Sequence, residues 1–287
     1  MRPILASLVL VLATSCASGS RGASRGAAGD AELDVDGVRR TYRLHVPASW
    51  DRARPVPLLL VFHGAGSDAD DIAYGSGFDA FADASPMLVV YPQALGGRFD
   101  VDPPAGRASA DVRFVDVLVE QVRARFPVDA ARIYASGFSN GAAFCHRLAA
   151  DRPRLLAAIG PVAGYLAPGL PPPTVPVPQM QVHGTADDRV REPAYASDAT
   201  APVPAWARRS GATRLASVTT PGDLGGLAVT RFAYAGSTPR SDAVLLSVRG
   251  AGHVWPGGPG GPISRAMLEF FRTHPNDAPV AGRTPPR

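Results

Sequence analysis

Ser139 stands between two glycines in Gly137-Phe138-Ser139-Asn140-Gly141, directly after an apolar run and directly before a helical pattern. A serine hydroxyl is a weak nucleophile at neutral pH, so a serine placed to react needs a base that takes its proton. The spacing meets a steric need: where a strand turns sharply into a helix, the residues two positions either side of the serine must be small. The pattern points to a nucleophile at Ser139. An acid and then a base are expected later in the chain.

Histidine is the natural base, because its ordinary pKa lies near working pH. Of the 6 histidines, His45 and His63 precede the serine, and His146 falls two turns along the same helix, as a surface or packing residue. His253 lies in "RGAGHVWPGG", a glycine-rich loop after the last apolar run, and is the expected base. His183 is followed by "GTADD", which supplies the acid as Asp187 or its neighbour Asp188, position favouring Asp187. That carboxylate would fix the tautomer of the imidazole and stabilise the imidazolium. Two N–H donors are needed for a developing oxyanion. Asn140 opens the helix and offers one; the loop "FHGAGSD" offers the other at Ala65, with Gly66 next. Trp255 and Phe138 are the candidate substrate contacts, with packing the alternative reading for both. Cys145 falls inside the helix after Ser139 and reads as a buried thiol.

These groups need elements to position them. "LDVDGVRRTYRLHVP" alternates on both sides of Asp36-Gly37, a hairpin signal. "VPLLLVFHG" and "MLVVYP" are continuous apolar runs, as expected of strands buried on both faces, with a helix near 70–84 between them. Val112, Val115, Val119, Val122 and Phe126 share one helical face. "ARIYASG", "LLAAIGPVAG", "VPQMQVHG", "LAVTRFAYAG" and "AVLLSVRGAGH" read as further strands, and "PISRAMLEFFRTH" as a closing amphipathic helix. Alternating strands and helices predict an α/β fold: a mostly parallel sheet covered on both faces, with an antiparallel start.

"HGAGSDAD", "GFSNGAAF", "HGTADDRV" and "GAGHVWPGG" together resemble the successive motifs of the poly(3-hydroxybutyrate) depolymerase group in carbohydrate esterase family 1, which also holds feruloyl and acetylxylan esterases. The resemblance spans roughly residues 31–275. It implies an α/β-hydrolase fold without a large lid domain, no cofactor, and Ser139, Asp187 and His253 as a triad acting on carboxylic esters. Arg191-Glu192 intervene where the group often carries a proline soon after the acid. No polymer-binding domain follows the closing helix, so short acyl esters or soluble oligomers are expected rather than granules or fibre. The connection from Tyr165 to Pro178 is proline-rich and reads as an open cleft. The alternatives are a serine peptidase of the same fold and a catalytically silent envelope lipoprotein.

The first residues, "MRPILASLVLVLATSC", have a basic start and a short apolar core, which is signal-peptide architecture over 1–15. Ala13 to Cys16 resemble a lipobox, so Cys16 is the expected lipidation site and the membrane is reached only through that anchor. Residues 16–30 read as a flexible tether with a reach of roughly 20 Å, 31–275 as one catalytic domain, and 276–287 as a disordered tail. The 29 basic residues are all arginine, and a net charge of +4 without charge blocks gives no nucleic-acid footprint. No histidine pair has metal-ligand spacing, so no metal is expected.

Overall fold

The computed structural model describes residues 27–103, 107–190, 202–212, 214–219, 223–236 and 238–276. Strands β1 (Ala27–Val35) and β2 (Val38–Val46) form a hairpin, with Asp36 and Gly37 at φ 52° and 82°, the turn an Asp-Gly pair favours. Then come β3 (Val56–Phe62), α1 (Ala69–Ser76), α2 (Phe78–Ala84), β4 (Leu88–Pro92) and α3 (Ala110–Arg125). β5 (Val128–Phe138), α4 (Asn140–Asp151), β6 (Ala158–Val162), β7 (Gln179–Gly184) and α5 (Pro202–Arg209) follow. The described chain closes with β8 (Arg214–Thr219), β9 (Asp223–Leu224), β10 (Leu227–Ala235), β11 (Ala243–Val248) and α6 (Pro262–Thr273).

Among the described residues the strands make one sheet in the order β1-β2-β4-β3-β5-β6-β7-β11-β10-β8, with β9 paired to β10. The six central strands, β4 through β11 in that order, are parallel; both edges are antiparallel. Along β3, Leu58, Leu60 and Phe62 face one core with Phe114, Val115 and Phe144, while Leu59 and Val61 face the other with Phe78, Ile263 and Phe271. That is the period of a strand buried on both faces. Truncating one of these leucines to alanine typically costs roughly 2–5 kcal/mol. The fold is the α/β-hydrolase type, and the β6–β7 connection, residues 163–178, contains no helix.

Some expectations need correction. Residues 27–30, expected in the tether, extend β1: Ala27 pairs with Val46 and Asp30 with Arg43 in the antiparallel ladder with β2. The helix expected near 70–84 is two helices, because Gly77 takes φ 62° where a Cβ would collide with the backbone of Gly260. α5 and β8 were not expected. The prolines of "APVPAW" mask a helix start, and "RLASVT" is a short edge strand whose mix of polar and apolar residues has no regular alternation. Asn276, expected in the tail, is buried and donates to Arg154 O at 2.8 Å. Residues 1–15, where a signal peptide is expected, Cys16 and residues 277–287 lie outside the described residues.

Candidate active site

Ser139 caps α4 with φ 54° and ψ −113°, a backbone state that residues with a side chain rarely adopt. Close packing holds it there. Its N–H donates to Val162 O of β6 at 3.0 Å, and its carbonyl accepts from Ala143 N at 3.0 Å. A Cβ on Gly137 would stand 2.9 Å from Phe62 O, and one on Gly141 would collide with the same oxygen. Both glycines are therefore required by the crossing of α4 over β3 and β5. The result is a hydroxyl held proud of the carboxyl edge of β5.

The parallel register brings the ends of β5, β7 and β11 to the same edge, where sites of open α/β sheets form. Ser139 follows β5, Asp187 follows β7 and His253 follows β11. β11 lies three strands from β5, about 14 Å away at ordinary spacing. The loop after β11 must therefore fold back, and Gly250 at φ 74° helps it turn. His253 Nε2 arrives 2.9 Å from Ser139 Oγ, and its Nδ1 stands 2.8 Å from Asp187 Oδ2. A carboxylate only accepts, so the proton sits on Nδ1, and Nε2 is left bare to take the serine proton.

Asp187 is 5% exposed, and its oxygens are fully engaged. Oδ1 accepts from Arg189 N at 3.0 Å and Val190 N at 2.9 Å; Oδ2 accepts from His253 and lies 3.3 Å from His183 Nε2. Burial pushes this carboxyl up, but the Val190 N–H, His253 and the Arg189 N–H together outweigh it and hold the pKa below the ordinary value. Asp187 is thus a fixed anion behind the imidazole. Asp188 is exposed and outside this network. His183 Nε2–H donates to Val190 O at 2.6 Å, and burial holds its pKa down, so it supports the acid as a neutral ring.

Opposite the imidazole lies the loop after β3. Gly66 N–H is taken by Gly97 O at 2.8 Å, whereas no carbonyl among the described residues accepts from Ala65 N–H. Ala65 N–H and the N–H of Asn140 at the start of α4, the two donors expected from the sequence, thus have no main-chain acceptor among the described residues. Two groups brace them. His63 Nδ1–H donates to Gly64 O at 2.7 Å while Nε2 accepts from Ala94 N at 3.1 Å, and burial holds its pKa down. The Asn140 amide grips Phe99, accepting from its N–H at 2.8 Å and donating to its carbonyl at 3.2 Å. Since residues 94–99 also carry Gly97, one short segment ties both donors together. Neither brace was identified from sequence; a histidine closing a strand before a glycine was the available signal for His63.

Trp255 and Phe138 take the packing alternative. The Trp255 indole N–H donates to Ser264 Oγ at 3.0 Å, which donates to Ser76 O at 2.7 Å, and the ring meets Phe78 edge-on at 5.8 Å. It pins the histidine loop to α1 and α6. Phe138 lies with its ring centroid 4.8 Å from that of His253 and backs onto Gly64, a wedge between base and loop. Cys145 is a fully buried free thiol, and burial pushes its pKa up, so it is not a competing nucleophile.

A family model described as esterase PHB depolymerase matches residues 40–170. NocK of Nocardia uniformis subsp. tsuyamanensis, a protein named as an esterase, is 32% identical over 253 residues, covering 79% of this chain and 74% of its own. Feruloyl esterase C of Emericella nidulans is 29% identical over 154 residues, covering 52% of this chain and 55% of its own. Among solved structures, an acetyl xylan esterase from Aspergillus awamori superposes with a TM-score of 0.67 at 15% identity, over 85% of this chain and 99% of that one, a likeness of fold.

Proposed function

The chain belongs to the esterase PHB depolymerase family, and from that premise we propose that it is a serine carboxylesterase acting on short-chain hydroxyalkanoate, acetyl or feruloyl esters. The observation that carries the mechanism is the placing of His253 between Ser139 Oγ at 2.9 Å and Asp187 at 2.8 Å. Ser139 Oγ attacks the ester carbonyl while His253 Nε2 takes the hydroxyl proton. Asp187 stabilises the imidazolium, and the N–H groups of Ala65 and Asn140 receive the oxyanion. Collapse expels the alcohol, which leaves with the proton from Nε2. A water deprotonated by the same nitrogen then releases the acid from Ser139.

The substrate reading rests on the entrance. The β6–β7 connection adds no helix over the site, and Leu95 at 53% and Val254 at 50% exposure present apolar side chains beside the oxyanion loop and the base. An apolar rim, with no helix in the β6–β7 connection among the described residues, suits short acyl groups or soluble oligomers better than long chains drawn into a tunnel. The leader and Cys16 support export, with lipid attachment at that cysteine.

The test is turnover of p-nitrophenyl acetate and butyrate by the wild type and Ser139→Ala, beside methyl ferulate, acetylated xylan, hydroxybutyrate oligomers and an unblocked peptide. Ester hydrolysis lost in the variant supports the reading. Equal ester rates in both proteins would remove it, and peptide cleavage without ester preference would replace it with a peptidase.

A further inference from the structure

Between α2 and α6 lies a cavity of about 340 Å³, near the lower end of the range for small-molecule sites. It is well separated from Ser139. Its lining includes Met87, just before β4, and Tyr134, five residues before Ser139 on β5, so about 16 Å of strand lies between. Phe81 of α2 and Phe271 of α6 supply apolar walls, and Phe271 stacks on Tyr134 with centroids 4.8 Å apart and planes 8° off parallel.

Two features distinguish it from a packing fault. The Tyr134 hydroxyl is buried without a hydrogen-bond partner among the described residues, and Tyr134 is one of the residues that line the cavity. Burial pushes its pKa up to about 12, so it keeps its proton and stands as an unused donor. Leaving such a group unpaired costs roughly 1–3 kcal/mol. The second feature is charge. Arg132, Arg265 and Arg272 line the cavity against a single acid, Glu269. Arg132 is engaged by Asp129 at 2.6 Å, and Arg265 lies over the Phe81 ring at 5.3 Å. Arg265 and Arg272, two turns apart on α6, have no ion-pair partner among the described residues.

We propose that this cavity is a second, non-catalytic site for a flat organic carboxylate, its anion held by Arg265 and Arg272 and an uncharged acceptor at its far end receiving the Tyr134 hydrogen. The proposal does not depend on the esterase reading. Calorimetric titration of the full protein with 4-methoxybenzoate, and with benzoate as the ligand lacking the far acceptor, tests it. Saturable binding is expected, weakened at least about tenfold in Arg265→Ala/Arg272→Ala, a loss near one charge-assisted hydrogen bond. Tyr134→Phe should weaken 4-methoxybenzoate several-fold and leave benzoate unchanged, with thermal unfolding midpoints confirming that each variant is folded. Any one of three results overturns the proposal: no saturation below about 10 mM, equal affinity in the arginine double variant, or the same loss for both ligands in Tyr134→Phe.

Discussion

Ser139 holds a backbone state that costs roughly 1–3 kcal/mol, and the surrounding glycines and the Val162 carbonyl maintain it. Removing the hydroxyl alone leaves that strain; removing the Cβ relieves it. Ser139→Gly should therefore unfold at a higher temperature than Ser139→Ala, by about 1 kcal/mol in stability, although both lose ester turnover. Thermal unfolding of the pair checks this, and a less stable glycine variant would contradict it. Asn140 gives a second test, since its side chain ties the nucleophile helix to the segment that holds Gly66. Asn140→Ala should lower kcat by about ten- to a hundredfold with KM little changed, because misplaced donors weaken transition-state contacts more than substrate binding. The convergence of Ser139, Asp187 and His253 was legible in the sequence because each follows an apolar run that ends at the same sheet edge. The His63 and Asn140 braces were not, because each depends on a partner segment, residues 94–99, that nothing local to them announces.

α4 is buried along nearly its whole length, which puts a histidine where water does not reach. His146 donates from Nε2 to Gln179 Oε1 at 2.8 Å and packs on Trp206, and burial lowers its pKa to about 4. A folded pKa below the ordinary 6.5 means the stability it supports is complete above pH 6.5 and drains as pH falls toward 4. The loss amounts to about 3 kcal/mol over that interval. His63 and His183 are shifted the same way and add to it. Urea unfolding of His146→Gln, which keeps a donor for Gln179, should show a visibly shallower decline than the wild type between those pH values. Parallel slopes would contradict the assignment. The sequence showed α4 and the buried strands clearly because their apolar periods are strong. It hid the break at Gly77, which arises from contact with Gly260, and the edge strand β8, whose pairing with β10 carries no local signal.

Across the whole molecule, a parallel sheet collects residues far apart in the chain at one edge: 114 positions separate His253 from Ser139, and 66 separate it from Asp187. The order of motifs announced that convergence, and register delivered it. The cavity between α2 and α6 went unread, since Tyr134 looks like an ordinary core aromatic until its hydroxyl is seen to lack a partner. If the leader is processed as proposed, Cys16→Ser should move the protein from the membrane fraction to the soluble one, and unchanged fractionation would sink the lipid anchor. The central claim is that Ser139 carries the acyl group. Peptide mass mapping after a rapid acid quench with p-nitrophenyl butyrate tests this most directly. The account predicts a butyryl group on the peptide containing Ser139, absent when His253 is replaced by alanine; acylation of another residue, or turnover with none, would contradict it.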